Sequence, residues 1–321
     1  MMDILVTGST GFIGTSLIEE LIKRRFSVSA AARNASANKF DASINFINIG
    51  HLTSSLDWQH AFQGVNAIVH LAARAHVLND KSRDPLADYR YINVDCSLNL
   101  ARQAARAGVK RFIYMSSIKV NGEFTILGKP FTAQDTPMPR DFYGISKYEA
   151  ELGLRMIAEE FGMEVVIIRP PLVYGPGVRA NFLSMMNWLR RGIPLPLGGV
   201  TKNRRSFVFI GNLVDMIVTC INHPAAANQT FLISDDEDIS TAGLLDRMAL
   251  ALGQSSRLIT VPPALITLGA KLAGKADIAQ RLCGSLQVDI KKTKDFLGWS
   301  PPVSVNEGLR QTAAHFLKMQ S

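Results

Sequence analysis

The stretch DILVTGSTGFIG, residues 3–14, decides the fold. Its first five residues, Asp3–Thr7, read as a short strand, and Ile13, Leu17, Leu21 and Ile22 then recur at helical spacing. Between them lie Gly8, Gly11 and Gly14, spaced G-x-x-G-x-x-G. Backbone that turns this tightly can pass close to a pyrophosphate and offer it the free N–H groups of a helix N-terminus. A glycine triplet alone is weak evidence; between a strand and a helix at the head of a βαβ unit it is strong. Gly8, Gly11, Phe12, Ile13 and Gly14 are therefore the expected phosphate-loop contacts of a dinucleotide.

Outward from that loop, strand and helix alternate. Ser27–Ala32, Ile44–Asn48, Ala67–Leu71, Arg111–Ser116 and Glu164–Ile168 are apolar runs of strand length. A long helix is expected from Pro85 to Ala107, stopped by Gly108, and another from Phe142 to Phe161 between Asp141 as N-cap and Gly162 as stop. Strands of this kind separated by helices imply an α/β fold: a doubly wound parallel sheet, covered on both faces, with right-handed crossovers. Past Pro170-Pro171 the rhythm becomes irregular, with helices expected near 181–191, 212–222, 240–252, 262–273 and 304–318 and short strands between them. The expected division is a dinucleotide-binding domain over 1–173 and a smaller α/β substrate-binding region over 174–321, with some segments interleaved.

Composition narrows the class. The chain has 321 residues, 47% hydrophobic and 19% charged, with a mean hydropathy of +0.11. This argues against disorder, and no apolar run reaches the roughly 18 residues of a membrane span. Cys96, Cys220 and Cys283 are few and far apart, which suits reduced thiols and a cytoplasmic location. A first strand at Asp3 leaves no room for a signal peptide. The formal net charge is +8, but the basic clusters are short and scattered, so neither a nucleic-acid partner nor a membrane span is expected. His51, His60, His70, His76, His223 and His315 lack ligand spacing and no C-x-x-C occurs, so no metal site is expected. Trp58, Trp188 and Trp299 are read as core residues.

The second strand, SVSAAARN over 27–34, lacks the carboxylate that normally holds the ribose 2′-hydroxyl of NAD. Arg33 stands just past that place and suits a 2′-phosphate, so NADP(H) is the expected cofactor and NAD(H) the alternative. Tyr143 and Lys147 are four residues apart and share a helix face. A phenol with an ordinary pKa of about 10 is a poor proton-transfer group at neutral pH, and a neighbouring ammonium should favour its phenolate. Ser116-Ser117 ends the fifth strand, at the edge where an open parallel sheet binds its ligand. A hydroxyl there can hydrogen-bond a reacting carbonyl.

With these residues assembled, the chain resembles the extended short-chain dehydrogenase/reductases of the nucleotide-sugar epimerase/dehydratase family. The resemblance runs through TGSTGFIG (7–14), HLAA (70–73), Asn93, MSSIKVNG (115–122), YGISK (143–147), RPPLVYGPG (169–177), NRRSFVFIGNL (203–213) and DIKKTKDFLGWSPPVSVNEGL (289–309). It implies Ser117, Tyr143 and Lys147 as catalytic residues, with Lys147 also holding the nicotinamide ribose. It implies that Leu71, Ala72, Ala73 and Pro170 line the cofactor and that Asn121, Asn181 and Arg205 serve the substrate, the last two at its diphosphate. It also implies a homodimer.

Departures from the family pattern narrow the reaction. The 4,6-dehydratases carry an Asp-Glu pair where this chain has Ile118 and Lys119, so elimination of water is not expected. Asn121 replaces a common Tyr, His51 stands near an adenine-binding Asp position, and Gly211-Asn212 replaces a frequent acid. The segments SSIKVNGE, RPPLVYGPGV and RLCGSLQVDI resemble the O-antigen enzymes that reduce UDP-4-keto-6-deoxy-N-acetylglucosamine. NAD(P)H-dependent reduction of a C4 ketone on a UDP-sugar is the expected function. The alternatives are a UDP-hexose 4-epimerase with tightly held NAD and, from another class, a non-catalytic dinucleotide-binding scaffold.

Overall fold

The computed structural model describes residues 2–33, 44–75 and 82–320; His76 lies outside them. The main sheet begins with β1 (Asp3–Thr7), β2 (Ser27–Ala32), β3 (Asn45–Asn48), β4 (Val65–His70), β5 (Arg111–Met115) and β6 (Glu164–Arg169). β7 (Leu172–Tyr174) and β8 (Arg205–Phe209) leave it for a small second sheet with β10 (Asp238–Ile239), while β9 (Thr230–Leu232) returns to the main sheet beside β6. The order β3-β2-β1-β4-β5-β6-β9 is parallel throughout and reverses direction between β1 and β4. A crevice outside the carboxyl ends of those two strands is where such a sheet takes a ligand.

Both faces of the sheet are buried because its strands carry apolar side chains at odd and even positions alike. Ile4, Val6, Val69, Ile113, Val166 and Ile168 face one core with Leu17 and Leu21 of helix α1 (Phe12–Lys23). Leu5, Ile68, Phe112, Tyr114, Val165 and Ile167 face the other. That second core is covered by α3 (Cys96–Arg106) through Leu100 and by α4 (Phe142–Phe161) through Leu154. Asp141 caps α4 by accepting from the Gly144 amide at 2.7 Å, and Gly162 ends it in the left-handed conformation at φ 72°.

The long helix expected over 85–107 is broken. It runs as α2 (Pro85–Arg90), a widened turn over 91–95, and α3. Asn93 explains the break: it is fully buried, its amide donates to Ser146 Oγ (2.9 Å) and to the Arg74 carbonyl (3.1 Å), and its side-chain oxygen accepts from the Arg74 amide. Its backbone carbonyl faces the Tyr114 hydroxyl at 3.4 Å. The ladder widens where that residue is drawn inward.

Beyond β7 come α5 (Ala180–Arg190), α6 (Ile210–Asn222), α7 (Thr241–Ala251), α8 (Pro263–Leu272), α9 (Ala276–Cys283), α10 (Lys291–Leu297) and α11 (Val305–Lys318). Strand β9 belongs to the main sheet by hydrogen bonding although it lies beyond residue 173. Asp235, just after β9, joins the second sheet to this region: it accepts from the Phe209 amide, Asn212 and the Tyr174 hydroxyl at 2.7–2.8 Å. Trp58 and Trp299 are buried as expected, whereas Trp188 is 44% exposed on the outer face of α5. Among the described residues no helix is long and apolar enough to cross a membrane.

Arg111, at the head of β5, fastens α6 to the sheet. Its Nη1 donates to the carbonyls of Cys220, Ile221 and His223 at 2.7, 2.9 and 3.0 Å, and its Nε to Glu164 at 2.7 Å. A buried guanidinium thus satisfies the carbonyl end of a helix and its negative dipole end together. Arg111→Leu should lower the unfolding free energy by about 2–4 kcal/mol, read as a lower urea midpoint at unchanged m-value.

Candidate active site

The loop between β1 and α1 folds so closely that side chains are excluded. Gly8 has φ +66°, and a Cβ there would lie 2.7 Å from the Ala72 amide nitrogen; one on Gly14 would lie 2.3 Å from the Gly8 carbonyl oxygen. The Gly11 amide closes the turn onto the Gly8 carbonyl at 2.9 Å. Helix α1 starts with no side-chain cap and no acidic residue in its first turn, so the amides of Phe12, Ile13 and Gly14 lack the partners a helix supplies internally. Leu71, Ala72 and Ala73, just past β4, run alongside: the Leu71 amide donates to the Thr7 carbonyl at 3.3 Å and Ala72 to Thr7 Oγ1 at 3.4 Å. Backbone donors beside a helix N-terminus, in a cradle that any Cβ would fill, fit a pyrophosphate. A dinucleotide therefore fits this edge of the sheet.

Arg33 follows β2 directly, is exposed, and has no hydrogen bond or ion pair among the described residues. Behind the crevice, His70 is fully buried between Thr7 Oγ1 (2.7 Å) and Ser97 Oγ (2.8 Å). Burial, with the Lys147 charge, holds its pKa down to about 3, so His70 is a neutral packing residue. No group of three or more potential metal ligands occurs among the described residues.

Ser117 stands at the end of β5, and Tyr143 and Lys147 in the first two turns of α4. Ser117 follows β5 and caps a single tight turn over 118–120, its Oγ accepting from the Lys119 amide at 3.2 Å. That turn packs on the start of α4: a Cβ on Gly144 would lie 2.9 Å from the Lys119 carbonyl oxygen, and Lys119 forms an ion pair with Asp141. Lys147 reaches across to donate to the Met115 carbonyl at 2.8 Å, its ammonium 4.4 Å from the Tyr114 ring centre and 5.9 Å from that of Tyr143. Tyr143 is half-buried and packs edge-on to Tyr89 at 6.3 Å.

The electrostatics differ from the simple pairing expected of Tyr143 and Lys147. Burial pushes Lys147 down to about 7, although the Glu151 charge opposes it. Burial also raises the Tyr143 phenol above its ordinary value, with the Asp141 charge and Tyr89 adding to the rise. Burial thus disfavours the charged form of both groups.

The other named residues are placed as follows. Pro170 is buried and its carbonyl accepts from the Ile118 amide at 2.9 Å. Asn121 is buried with both ends of its amide engaged, by Arg169 Nη1 (3.0 Å) and the Thr132 carbonyl (2.8 Å). Asn181 is exposed in the first turn of α5, and Arg205 is half-buried at the start of β8, donating to the Gly284 carbonyl at 3.2 Å. Burial, with the nearby Arg281 charge, lowers Arg205 to about 10.

Residues unnamed at the sequence level hold the corner together. Glu151 and Arg169 form a fully buried ion pair, Nε to Oε1 at 2.9 Å. Ser116 Oγ donates to the same carboxylate at 2.5 Å. Two signals for this pair were present: Glu151 lies one helical turn past Lys147, and Arg169 ends an otherwise apolar strand.

The model of the NAD dependent epimerase/dehydratase family matches residues 4–234. A Vibrio cholerae protein named UDP-glucose 4-epimerase is 51% identical over 316 residues, covering 98% of this chain and 95% of that one. The fold is similar to that of UDP-glucose 4-epimerase from Thermotoga maritima, solved with UDP-glucose (TM-score 0.80, 24% identity, 100% of both chains). It is likewise similar to UDP-glucuronic acid 4-epimerase from Bacillus cereus in complex with NAD (TM-score 0.79, 20% identity, 100% of both chains).

Because burial lowers Lys147, the native protein holds fewer protons than the unfolded chain between pH of about 7 and the ordinary 10.5. Its stability relative to a Lys147→Met variant should therefore rise as pH increases from 7 to 9. Urea titrations of both proteins across that range measure it, and a difference independent of pH would contradict the assignment.

Proposed function

The chain belongs to the NAD dependent epimerase/dehydratase family, and on that premise we propose that it is a nucleotide-sugar 4-epimerase acting on a UDP-hexose or UDP-N-acetylhexosamine. The observation that carries this reading is the 51% identity, over 98% of the chain, to the Vibrio cholerae protein named UDP-glucose 4-epimerase. The site agrees with it. The amides of the Gly8–Gly14 loop hold the pyrophosphate, Leu71, Ala72, Ala73 and Pro170 line the dinucleotide, and Lys147 also holds its ribose. When bound, the dinucleotide supplies the exchange of hydride at sugar C4. Tyr143, its own proton first passed to Lys147, takes the proton from the C4 hydroxyl and returns it, Ser117 orients that oxygen, and Lys147, poised near neutrality, relays the proton. Asn181 and Arg205 hold the sugar diphosphate. Dehydration stays excluded from the proposal: Ile118 has no acid–base group, and Lys119 is tied to Asp141.

Arg33 favours a second reading, reduction of a C4 ketone with NADPH. It is an exposed cation at the end of β2 with no ion pair among the described residues, in a segment with no ribose-binding acid. In either reading two copies pair through the helices after β4 and β5, where Leu152 and Met156 of α4 are exposed.

One preparation separates the readings. The nucleotide released on denaturation is identified, and the protein is incubated with UDP-glucose and UDP-N-acetylglucosamine without added cofactor. Bound NAD and formation of the C4 epimers support the proposal. NADPH consumption with UDP-4-keto-6-deoxy-N-acetylglucosamine, without epimer formation, replaces it with the reductase, and neither activity leaves the scaffold. Tyr143→Phe should lose about 10²–10⁴-fold in turnover while binding dinucleotide nearly as well as the wild type; wild-type turnover would reject the role given to Tyr143.

A further inference from the structure

Helices α8 and α9 pack as a hairpin that stands off the body of the protein. No residue of α8 is buried, and in α9 only Ala279 is. Ile266 turns inward against the core, which fixes the rotation of α8 and sends Leu265, Leu268 and Leu272 outward at i, i+3 and i+7. They are 58%, 54% and 82% exposed, and Ile278 of the packed helix α9 is 50% exposed. A ten-residue helix that turns three leucines to water gains nothing from them in the isolated chain; such a face has a partner.

The charges around the face indicate the partner. Lys271, Lys275 and Arg281 lie in the hairpin against one acid, Asp277, and Lys202 is exposed on the loop that Asn203 binds to Leu282 and Gly284 at the end of α9. A second copy docked on the same patch would set these cations against one another, since a two-fold interface is self-complementary. An anionic surface meets them with opposite charge. We propose that the α8–α9 hairpin seats the protein on an anionic lipid surface, with the leucines entering the headgroup boundary and the lysines contacting lipid phosphates. Neither the exposed leucines nor Lys271 and Lys275 are among the candidate site residues, and the proposal stands whether the enzyme is an epimerase or a reductase.

The test is co-sedimentation of the full chain with vesicles of phosphatidylcholine alone or of phosphatidylcholine with phosphatidylglycerol. The wild type should pellet about tenfold more with the anionic vesicles, and that binding should weaken with added salt. Both L265Q/L268Q/L272Q and K271E/K275E should lose it at an unchanged melting temperature, because every substituted side chain is exposed. Equal pelleting with both vesicle types, or full binding by either variant, overturns the proposal. So does a wild-type dimer that the leucine variant dissociates with no vesicle binding, which assigns the face to a second copy.

Discussion

The corner where the candidate catalytic groups meet is organised around one buried ion pair, Glu151 with Arg169. It joins the middle of α4 to the end of β6, and through Ser116 and Asn121 it also fixes both ends of the turn that carries Ser117. A buried pair of this kind contributes little net stability, since desolvating two charges offsets their attraction. Breaking it is another matter: one charge left alone in the core costs roughly 3–5 kcal/mol. The pair therefore acts as a register pin. It permits one arrangement of α4 against β5 and β6, and that arrangement puts Lys147 under the Met115 carbonyl.

The same pair sets the charge of the site. Lys147 lies one turn before Glu151, and without that carboxylate burial would push its pKa lower still. An ammonium about 6 Å from a phenol is worth roughly 3 kcal/mol at an effective dielectric near 20, or about two pH units. Here burial opposes that help, since it raises Tyr143 and lowers Lys147 together. A proton thus moves easily on and off Lys147 while Tyr143 stays a phenol, an arrangement that holds protons ready and leaves ionisation of Tyr143 to the charges that arrive with ligands.

Most of the sheet was legible because its elements are long and locally consistent. β1, β2 and α4 fall on the residues their periodicity marks, and the caps Asp141 and Gly162 are where the sequence puts them. β7, β9 and β10 are foreseen only as short strands without positions, because two or three residues carry no period. Strand β9 has the larger consequence, since its membership of the main sheet depends on pairing with β6 rather than on anything in TFL itself. The break at Asn93 was invisible for a similar reason: a polar residue inside a helical pattern reads as a solvated position until Ser146 and Arg74 are seen to enclose it. Ser117, Tyr143 and Lys147 were named from motif spacing, but the pair that holds them was not, because its partners are 18 residues apart and meet only in three dimensions.

The charge surplus acquires a distribution that composition could not supply. Several cations are spent inside the protein: Arg111 on the end of α6, Arg169 on Glu151, Lys119 on Asp141, Arg24 on Asp215. Others have no acid to answer them. Arg281 lies close enough to Arg205 to lower its pKa, and neither has a carboxylate partner among the described residues. Desolvating Arg205 beside a second cation costs free energy, and an anion there offsets it. Arg281 belongs to α9, so the hairpin whose outer face carries the exposed leucines also carries one of the two cations that lie beside the proposed diphosphate site.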